Sequence, residues 1–417
     1  MRRGWCPDML RPMPTADGLL VRIHPRSSVL TASQARTIAE GARLFGNGLL
    51  DLSSRGNIQI RGVTPDSHPP LVDRLVAAGL LDGVRSQSPF RLTTISPLAG
   101  IDRRDPIDAA ALAQCIEAIA RDSQGLHPKL SIVVDGGGAI SLDAIGADIR
   151  LVALDATRIA LGLARPTETR WAGVQTLPDV PATIDLLLRA VAAAGAFAGL
   201  RVREIGDDGL AQLLGALRLP PPEAPPDRLQ APHAGCVLTD SHLSVFVIPP
   251  YGRCTFEGLG RVADWSEEYG SGEIRLSPFR ALAIPSVNAS GEASLAALAR
   301  ETGFIVDPGD PRLAVSTCAG MQGCGRGSTL THADSDRLAA ALPVGVSLHV
   351  SGCRKGCAHP APTGLTLVGD EGSYQVVLGG SARDKPLVRA GLDDIVDKLA
   401  RVSDGKDLMR VFEAGRP

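Results

Sequence analysis

Aromatic residues are scarce in this 417-residue chain: 3 Trp, 3 Tyr and 8 Phe make up 3% of it. Single-stranded nucleic acids stack their bases on aromatic platforms, so that mode of binding is disfavoured. An excess of one charge is missing too. Forty-three Lys and Arg against 45 Asp and Glu leave a net charge of −2, with no general basic field for nucleic acid or an anionic membrane. The longest charge-free apolar stretch suited to a helix, Ala190 to Leu200, falls well short of the roughly 20 residues of a membrane span. Arg2 and Arg3 are followed by Asp8, Arg11 and interrupting prolines instead of an apolar run, so no secretory signal is expected. The expected location is therefore the cytoplasm, with neither nucleic acid nor membrane as partner. What the chain does have is a composition ordinary for a globular protein, 44% hydrophobic and 21% charged, long enough for two or three domains. It also has eight cysteines, which in a reducing compartment point to metal or redox chemistry more than to disulfides.

The organisation shows at one break. Leu219 to Pro232 holds six prolines in fourteen residues, a linker that neither helix nor strand interior accepts. A linker near the midpoint invites a search for duplication. Sliding the chain along itself until Leu19 meets Leu243 aligns Leu19–Val63 with Leu243–Val287 without a gap. Identical pairs include Leu19/Leu243, Val21/Val245, Pro25/Pro249, Thr31/Thr255, Ala39/Ala263, Gly46/Gly270, Gly48/Gly272, Leu52/Leu276, Ser53/Ser277 and Val63/Val287. Phe45/Tyr269 and Ile60/Ile284 add to them. Each copy reads as strand, helix, strand: Leu19–His24, Thr31–Phe45 opened by a capping Thr, and Leu49–Ile60. Behind the first copy the pattern predicts helix Asp108–Ala120, strands Leu130–Asp135 and Ile149–Leu154, and helix Ala182–Ala198. Behind the second it predicts helix Ser335–Leu342, strands Val346–Val350, Gly364–Val368 and Tyr374–Leu378, and helix Leu392–Val402. A pseudo-two-fold α+β molecule of this kind places its site between the halves.

Four cysteines fall in the second α/β segment. Cys318 and Cys324 sit in STCAGMQGCGRG, Cys353 and Cys357 in HVSGCRKGCAHP, a C-x5-C and a C-x3-C with a long gap between them. Both pairs lie in Gly-rich loops, so backbone can approach inorganic sulfide and present N–H donors to it, as an iron–sulfur cluster requires. A four-cysteine structural zinc site competes, though zinc cysteines are more often two to four residues apart. Cys6, Cys115, Cys236 and Cys254 show no such spacing and read as small buried hydrophobes.

In the first copy, SSRGNIQIRGV places Arg55, Asn57, Gln59 and Arg61 at alternate positions, which on a strand share one face. A doubly cationic face calls for an anionic partner, and guanidinium groups suit carboxylates because they bind them bidentately. Arg22 on the preceding strand can join them. In the second copy Phe279 stands opposite Arg55 and Pro285 opposite Arg61, with Arg275 and Arg280 nearby in open roles.

The cysteine signature on a tandem duplication resembles the siroheme-dependent sulfite and nitrite reductase superfamily over nearly the whole chain. The resemblance implies an α+β fold: a ferredoxin-like half-domain over 1–80 and a nitrite/sulfite-reductase α/β domain over 81–218, then the linker 219–232. The order then repeats, as half-domain 233–305 and the cluster-binding α/β domain 306–417. It implies that Cys318, Cys324, Cys353 and Cys357 hold a 4Fe-4S cluster, Cys357 also bridging to a tetrapyrrole iron. It adds Arg91 and Lys129 to the tetrapyrrole- and substrate-binding positions. One departure stands out: the reductases carry a second lysine two residues after the first, where this chain has Ser131.

RGWCPDMLRPMPTADGLLVR, SPLAG, DGGG and HVSGCRKGCAHP are similar, more specifically, to the precorrin-3B synthase family. That resemblance implies a cytoplasmic oxygen-dependent monooxygenase of cobalamin biosynthesis. Precorrin-3A and dioxygen would be substrates, and NADH the donor, directly or through a reductase. It also implies a mononuclear non-haem iron. The sequence offers no ligand set for it; His349, His359 and Asp135 are the nearest candidates. The alternative the superfamily keeps open is a siroheme-dependent sulfite or nitrite reductase. Gly136–Gly138 lacks the G-x-G-x-x-G pattern, so no dinucleotide site is expected.

Overall fold

The computed structural model describes residues 7–81, 92–123, 125–165, 168–192, 200–217, 219–228, 233–239, 243–402 and 407–413. Its strands form four five-stranded sheets, two each of two kinds.

The first kind is antiparallel. One sheet runs in the order Met13–Thr15, Gly18–Ile23, Ile58–Val63, Leu49–Leu52 and Arg253–Thr255. The other runs Gly235–Leu238, Leu243–Val247, Leu282–Val287, Glu273–Leu276 and Val29–Thr31. Each sheet therefore ends on a short strand from the other half. Arg253–Thr255 pairs with Leu49–Asp51, and Val29–Thr31 pairs with Glu273–Arg275, which are corresponding positions of the repeat. This reciprocal exchange closes an otherwise bare sheet edge on each side.

Helices Ala32–Phe45 and Phe256–Tyr269 follow the exchanged strands and pack on one another. The first opens with Thr31 and Gln34 in a reciprocal capping box; in the second, Thr255 accepts from the Gly258 N–H. Their inward stripes, Ala35, Ile38 and Ala42 from one and Leu259, Val262 and Ala263 from the other, join a single core with residues of both sheets. The two copies are thus one folding unit.

The sheets of the second kind share one layout. Thr93–Ile95, Ile132–Asp135 and Ile149–Ala153 are parallel, and Arg158–Ala164 and Thr169–Thr176 continue antiparallel. Val315–Thr317, Leu348–Ser351 and Thr363–Asp370 are likewise parallel, followed by antiparallel Ser373–Gly380 and Val388–Ala390. The observed helices are Ala109–Asp122, Val180–Ala192, Thr331–Ala341 and Leu392–Leu399. Residues 193–199 of the expected Ala182–Ala198 helix lie outside the described residues. Duplication of the whole strand–helix plan is borne out.

One expected element is corrected. Leu49–Ile60 is not a continuous strand but a hairpin, Leu49–Leu52 and Ile58–Val63 pairing antiparallel. The Ser53 N–H donates to the Asn57 carbonyl, and Gly56 takes φ of 63° in the turn between them. Arg55 therefore leaves the face it was expected to share with Asn57, Gln59 and Arg61. The described part of the proline-rich segment, residues 219–228, has neither helix nor strand. Its Arg228 reaches the Asp135 carboxylate and the Gly138 carbonyl, tying the segment to the first α/β unit.

Candidate functional site

Both cysteine pairs leave the carboxyl ends of adjacent parallel strands, where open α/β sheets place their ligands. Cys318 follows Val315–Thr317, and Cys353 follows Leu348–Ser351 by one residue. The loops between are braced by main-chain and hydroxyl contacts. The Cys318 N–H donates to the Val350 carbonyl at 3.3 Å, Thr331 Oγ1 to the Cys318 carbonyl at 2.6 Å, and Ser351 Oγ to the Cys353 carbonyl at 2.8 Å.

The glycines expected to let backbone come close do so. A Cβ on Gly327 would lie 2.4 Å from the Gly320 carbonyl carbon, and one on Gly320 2.5 Å from Thr331 Oγ1. The Gly352 N–H points at Cys318 Sγ at 3.2 Å, the kind of donor a cluster thiolate uses. Partial burial raises the Cys357 thiol above the usual range; Lys355 opposes this, while the Cys353, Cys318 and Cys324 thiols beside it add to it. The other three sulfurs are thus within electrostatic reach of Cys357, and donor set and cradle fit an iron–sulfur cluster. Among the described residues no group of three His, Cys, Asp or Glu is arranged to hold a single metal ion, so no ligands for a mononuclear iron are assigned.

A cavity of about 340 Å³ opens beside these loops, with Cys318 and Cys357 in its wall. Arg22 and Gln59 line it from the first antiparallel sheet, Tyr251, Arg253 and Arg280 from the second copy, and His332 from the helix after the first cysteine loop. Arg22 donates to Gln59 Oε1 at 2.8 and 3.1 Å. Arg253 forks onto Asp51 at 2.6 and 3.0 Å. Burial, helped by the neighbouring Arg253, lowers the His332 imidazole to about 4, so it is neutral at physiological pH. With one carboxylate, Asp51, against three arginines, the wall is cationic.

The predicted site residues divide. Arg22 and Gln59 meet in the cavity with two of the cysteines. Arg61 has its anionic partner within the protein: it forks onto Asp17 at 2.7 and 2.8 Å, reaches Asp51 at 3.0 Å and donates to the Gly323 carbonyl at 2.9 Å. It braces the cysteine loop instead of facing ligand. Arg55 donates to the Lys129 carbonyl and lines, with Asn57, a separate hollow of about 20 Å³. The Lys129 side chain is exposed, and Arg91 lies outside the described residues.

Ser131, where the reductases have lysine, is buried, its backbone N–H and hydroxyl both donating to Asp148 Oδ2. Arg201 pairs with the same carboxylate at 2.7 Å. This position therefore belongs to an internal network.

Of the iron-ligand candidates, Asp135 is committed to the Gly137 and Leu142 N–H groups and to Arg228. His349 is fully buried with both ring nitrogens unpartnered, its ring 6.0 Å from that of His359. Cys254 is buried as expected and Cys236 half-buried, donating to Glu292, but Cys115 is exposed because it lies off the Leu112–Ala113–Ile116 stripe of its helix. Cys6 lies outside the described residues. Sequence reasoning missed Asp51, Tyr251, Arg253 and His332, and left Arg280 open. None carries a motif; only the exchanged strand brings Tyr251 and Arg253 to the first copy's sheet.

The glycine-rich loop after Asp135 packs against a titrating group. Asp105 accepts from the Gly138 N–H at 2.8 Å, and burial, with the charges of Asp102 and Asp135, raises its carboxyl from 3.8 to about 7. The folded chain then holds a proton that the unfolded chain releases near pH 4, so stability falls as pH rises from about 4 to 7 and is flat above. After solvent screening the loss is on the order of 1–2 kcal/mol. Asp105→Asn keeps the acceptor but cannot ionise. Urea unfolding at pH 4.5 and pH 8 is expected to show the parent losing about that much relative to the variant between the two pH values; the same change with pH in both would refute the assignment.

Comparisons with known proteins bear on the family and the fold. Residues 11–78 and 238–301 match the family described as nitrite/sulfite reductase ferredoxin-like half domain, once in each copy. A precorrin-3B synthase from Sinorhizobium sp is 31% identical, over 96% of this chain and 88% of that protein. A ferredoxin–nitrite reductase from Synechococcus elongatus is 24% identical over 88% of this chain and 79% of its own length. The structure of the Mycobacterium tuberculosis NirA protein superposes with a TM-score of 0.74 at 20% identity, covering 92% of this chain and 80% of that one. The likeness to that structure is one of fold.

Proposed function

The chain belongs to the precorrin-3B synthase family of the nitrite and sulfite reductase superfamily, and on that premise we propose that it converts precorrin-3A to precorrin-3B with dioxygen. The relatives are oxidoreductase-type enzymes, and the chain is read as one of them. The observation that carries the reading is the cationic cavity walled by Cys318 and Cys357, since precorrin-3A is a tetrapyrrole rimmed with acetate and propionate carboxylates. Ser131 supports the synthase over a reductase. Its side chain is turned onto Asp148, so this position adds no cation to hold a small oxyanion.

Cys318, Cys324, Cys353 and Cys357 would hold a 4Fe-4S cluster, which supplies electrons one at a time. The chain's own residues bind and orient. Arg22 and Arg253 present charge along the first sheet, and neutral His332 offers an imidazole for hydrogen bonding at the cavity wall. The reaction balances as a monooxygenation: one atom of dioxygen becomes the hydroxyl of the product, and an acetate oxygen closes the γ-lactone. The other atom leaves as water, and the external donor, NADH directly or through a reductase, gives two electrons.

Reduced enzyme given precorrin-3A under labelled dioxygen is expected to form hydroxylactone carrying one label. Unlabelled or absent product would refute the proposal. Acetone extraction of the purified protein tests the competing siroheme reductase, which the nitrite reductase relatives represent. Siroheme bands in the extract would favour it.

A further inference from the structure

The repeat builds one left-handed turn pair twice and fills it in opposite ways. In the first copy Ser28, at φ of 58°, faces Gly56, at 63°. A Cβ on Gly56 would come within 2.9 Å of Ser28 Oγ and 3.1 Å of the Leu276 carbonyl oxygen. In the second copy the corresponding positions are Gly252 at φ of 78° and Arg280 at 60°. Here a Cβ on Gly252 would come within 2.8 Å of Arg280 Cδ and 3.3 Å of the Leu52 carbonyl oxygen. The side chain and the glycine have changed places.

The hollows beside the two turns differ accordingly. The first, lined by Ser28 and Thr93, holds about 20 Å³. The second, lined by Gly252 and Thr317, holds about 340 Å³.

Arg280 is costly where it stands. A branched or long side chain in the left-handed region carries backbone strain, and the same turn in the first copy avoids it with glycine. Its stem lies in the groove that Gly252 leaves open, and its half-buried side chain lines the cavity, with Asp51 as an electrostatic neighbour. Arg253 and Arg61 hydrogen-bond to carboxylates and Arg22 to Gln59, but among the described residues none accepts a hydrogen bond from the Arg280 side chain. Strain and an unanswered five-donor fork in a ligand cavity are retained where something outside the chain answers them.

We propose that Arg280 is a carboxylate-docking residue, receiving an acetate or propionate side chain of the tetrapyrrole. Among the described residues, the Gly252/Arg280 exchange accompanies the larger of the hollows beside these two turns. The assignment rests on the tetrapyrrole reading above, and the test separates the two.

Uroporphyrin III, whose side chains are all acetate or propionate, serves as the probe, its binding followed by absorption against the full-length protein. Arg280→Gly restores the residue that suits the backbone. It is expected to weaken binding about 10- to 100-fold, the range of one charge-assisted hydrogen-bonded contact, while raising the melting temperature of the ligand-free protein. Arg280→Lys keeps charge and strain but loses the fork, so binding falls to an intermediate level with no thermal gain. Equal affinity in parent and Arg280→Gly, or a lowered melting temperature with affinity kept, would overturn the Arg280 assignment alone. No binding by the parent would overturn the tetrapyrrole reading, and the proposal with it.

Discussion

Cys357→Ser is expected to leave a folded chain that cannot assemble a complete 4Fe-4S cluster and has lost oxygen-dependent turnover. Cys357 sits at the mouth of the cavity, exposed, at the end of a loop whose course is set by the Gly356 N–H bond to the Cys353 carbonyl. No core packing depends on its sulfur, so the substitution tests ligation and not folding. A serine hydroxyl keeps its proton far above physiological pH and is a hard, poor ligand for cluster iron. Iron and acid-labile sulfide per chain are expected to fall together, and the EPR signal of the reduced cluster to vanish or change form. The exposed Cys115, on a helix of the other α/β unit, is the control: Cys115→Ser is expected to keep iron, sulfide and signal. An unchanged signal in Cys357→Ser would refute its role as a ligand.

Much of this architecture is legible in the sequence because it depends on local chemistry or on repetition. The helix over Ala32–Phe45 announces itself through Thr31, Gln34 and the spacing of Ala35, Ile38 and Ala42. The duplication is visible as identities at one offset, and the cysteine loops as spacing among glycines. What is not legible depends on partners distant in sequence. Val29–Thr31 and Arg253–Thr255 are too short for a periodic signal, and each pairs with a strand of the other copy. That exchange is what carries Arg253 to Asp51. Ser53–Asn57 is a polar, Gly-containing run that signals a turn, but Arg55, Asn57, Gln59 and Arg61 stand at every second position, so Arg55 appears to share a face it does not occupy. Arg280 gave one overlooked sign: a bulky residue standing where the repeat has glycine.

Arg61 shows the same limit with the largest consequence for stability. Its cationic position was read as a ligand contact, yet its side chain is 4% exposed and its donors are taken by Asp17, Asp51 and the Gly323 carbonyl. Burial alone would raise both carboxyls. Hydrogen bonds and charge from Arg61 at Asp17, and from Arg253 and Arg61 at Asp51, overcome it and hold both below the ordinary 3.8. Arg61→Met would leave Asp17 without its cation and Asp51 with one fewer. Breaking such a buried network costs about 3–5 kcal/mol. The sign with pH follows from the lowered carboxyls. Their stabilisation is full above about pH 4 and is lost as pH falls through the folded-state values, so the deficit of Arg61→Met is greatest near pH 7 and shrinks in acid. Arg61→Lys keeps the charge without the fork and is expected to fall between the two. Urea unfolding at pH 7 and pH 3 checks the order, and a deficit that does not change with pH would show packing, not charge, to be at stake. Because Gly323 precedes Cys324 and has no room for a Cβ beside Arg61 Nη2, the same variant frees the loop that presents this cysteine. Its iron content is therefore expected to drop together with its stability.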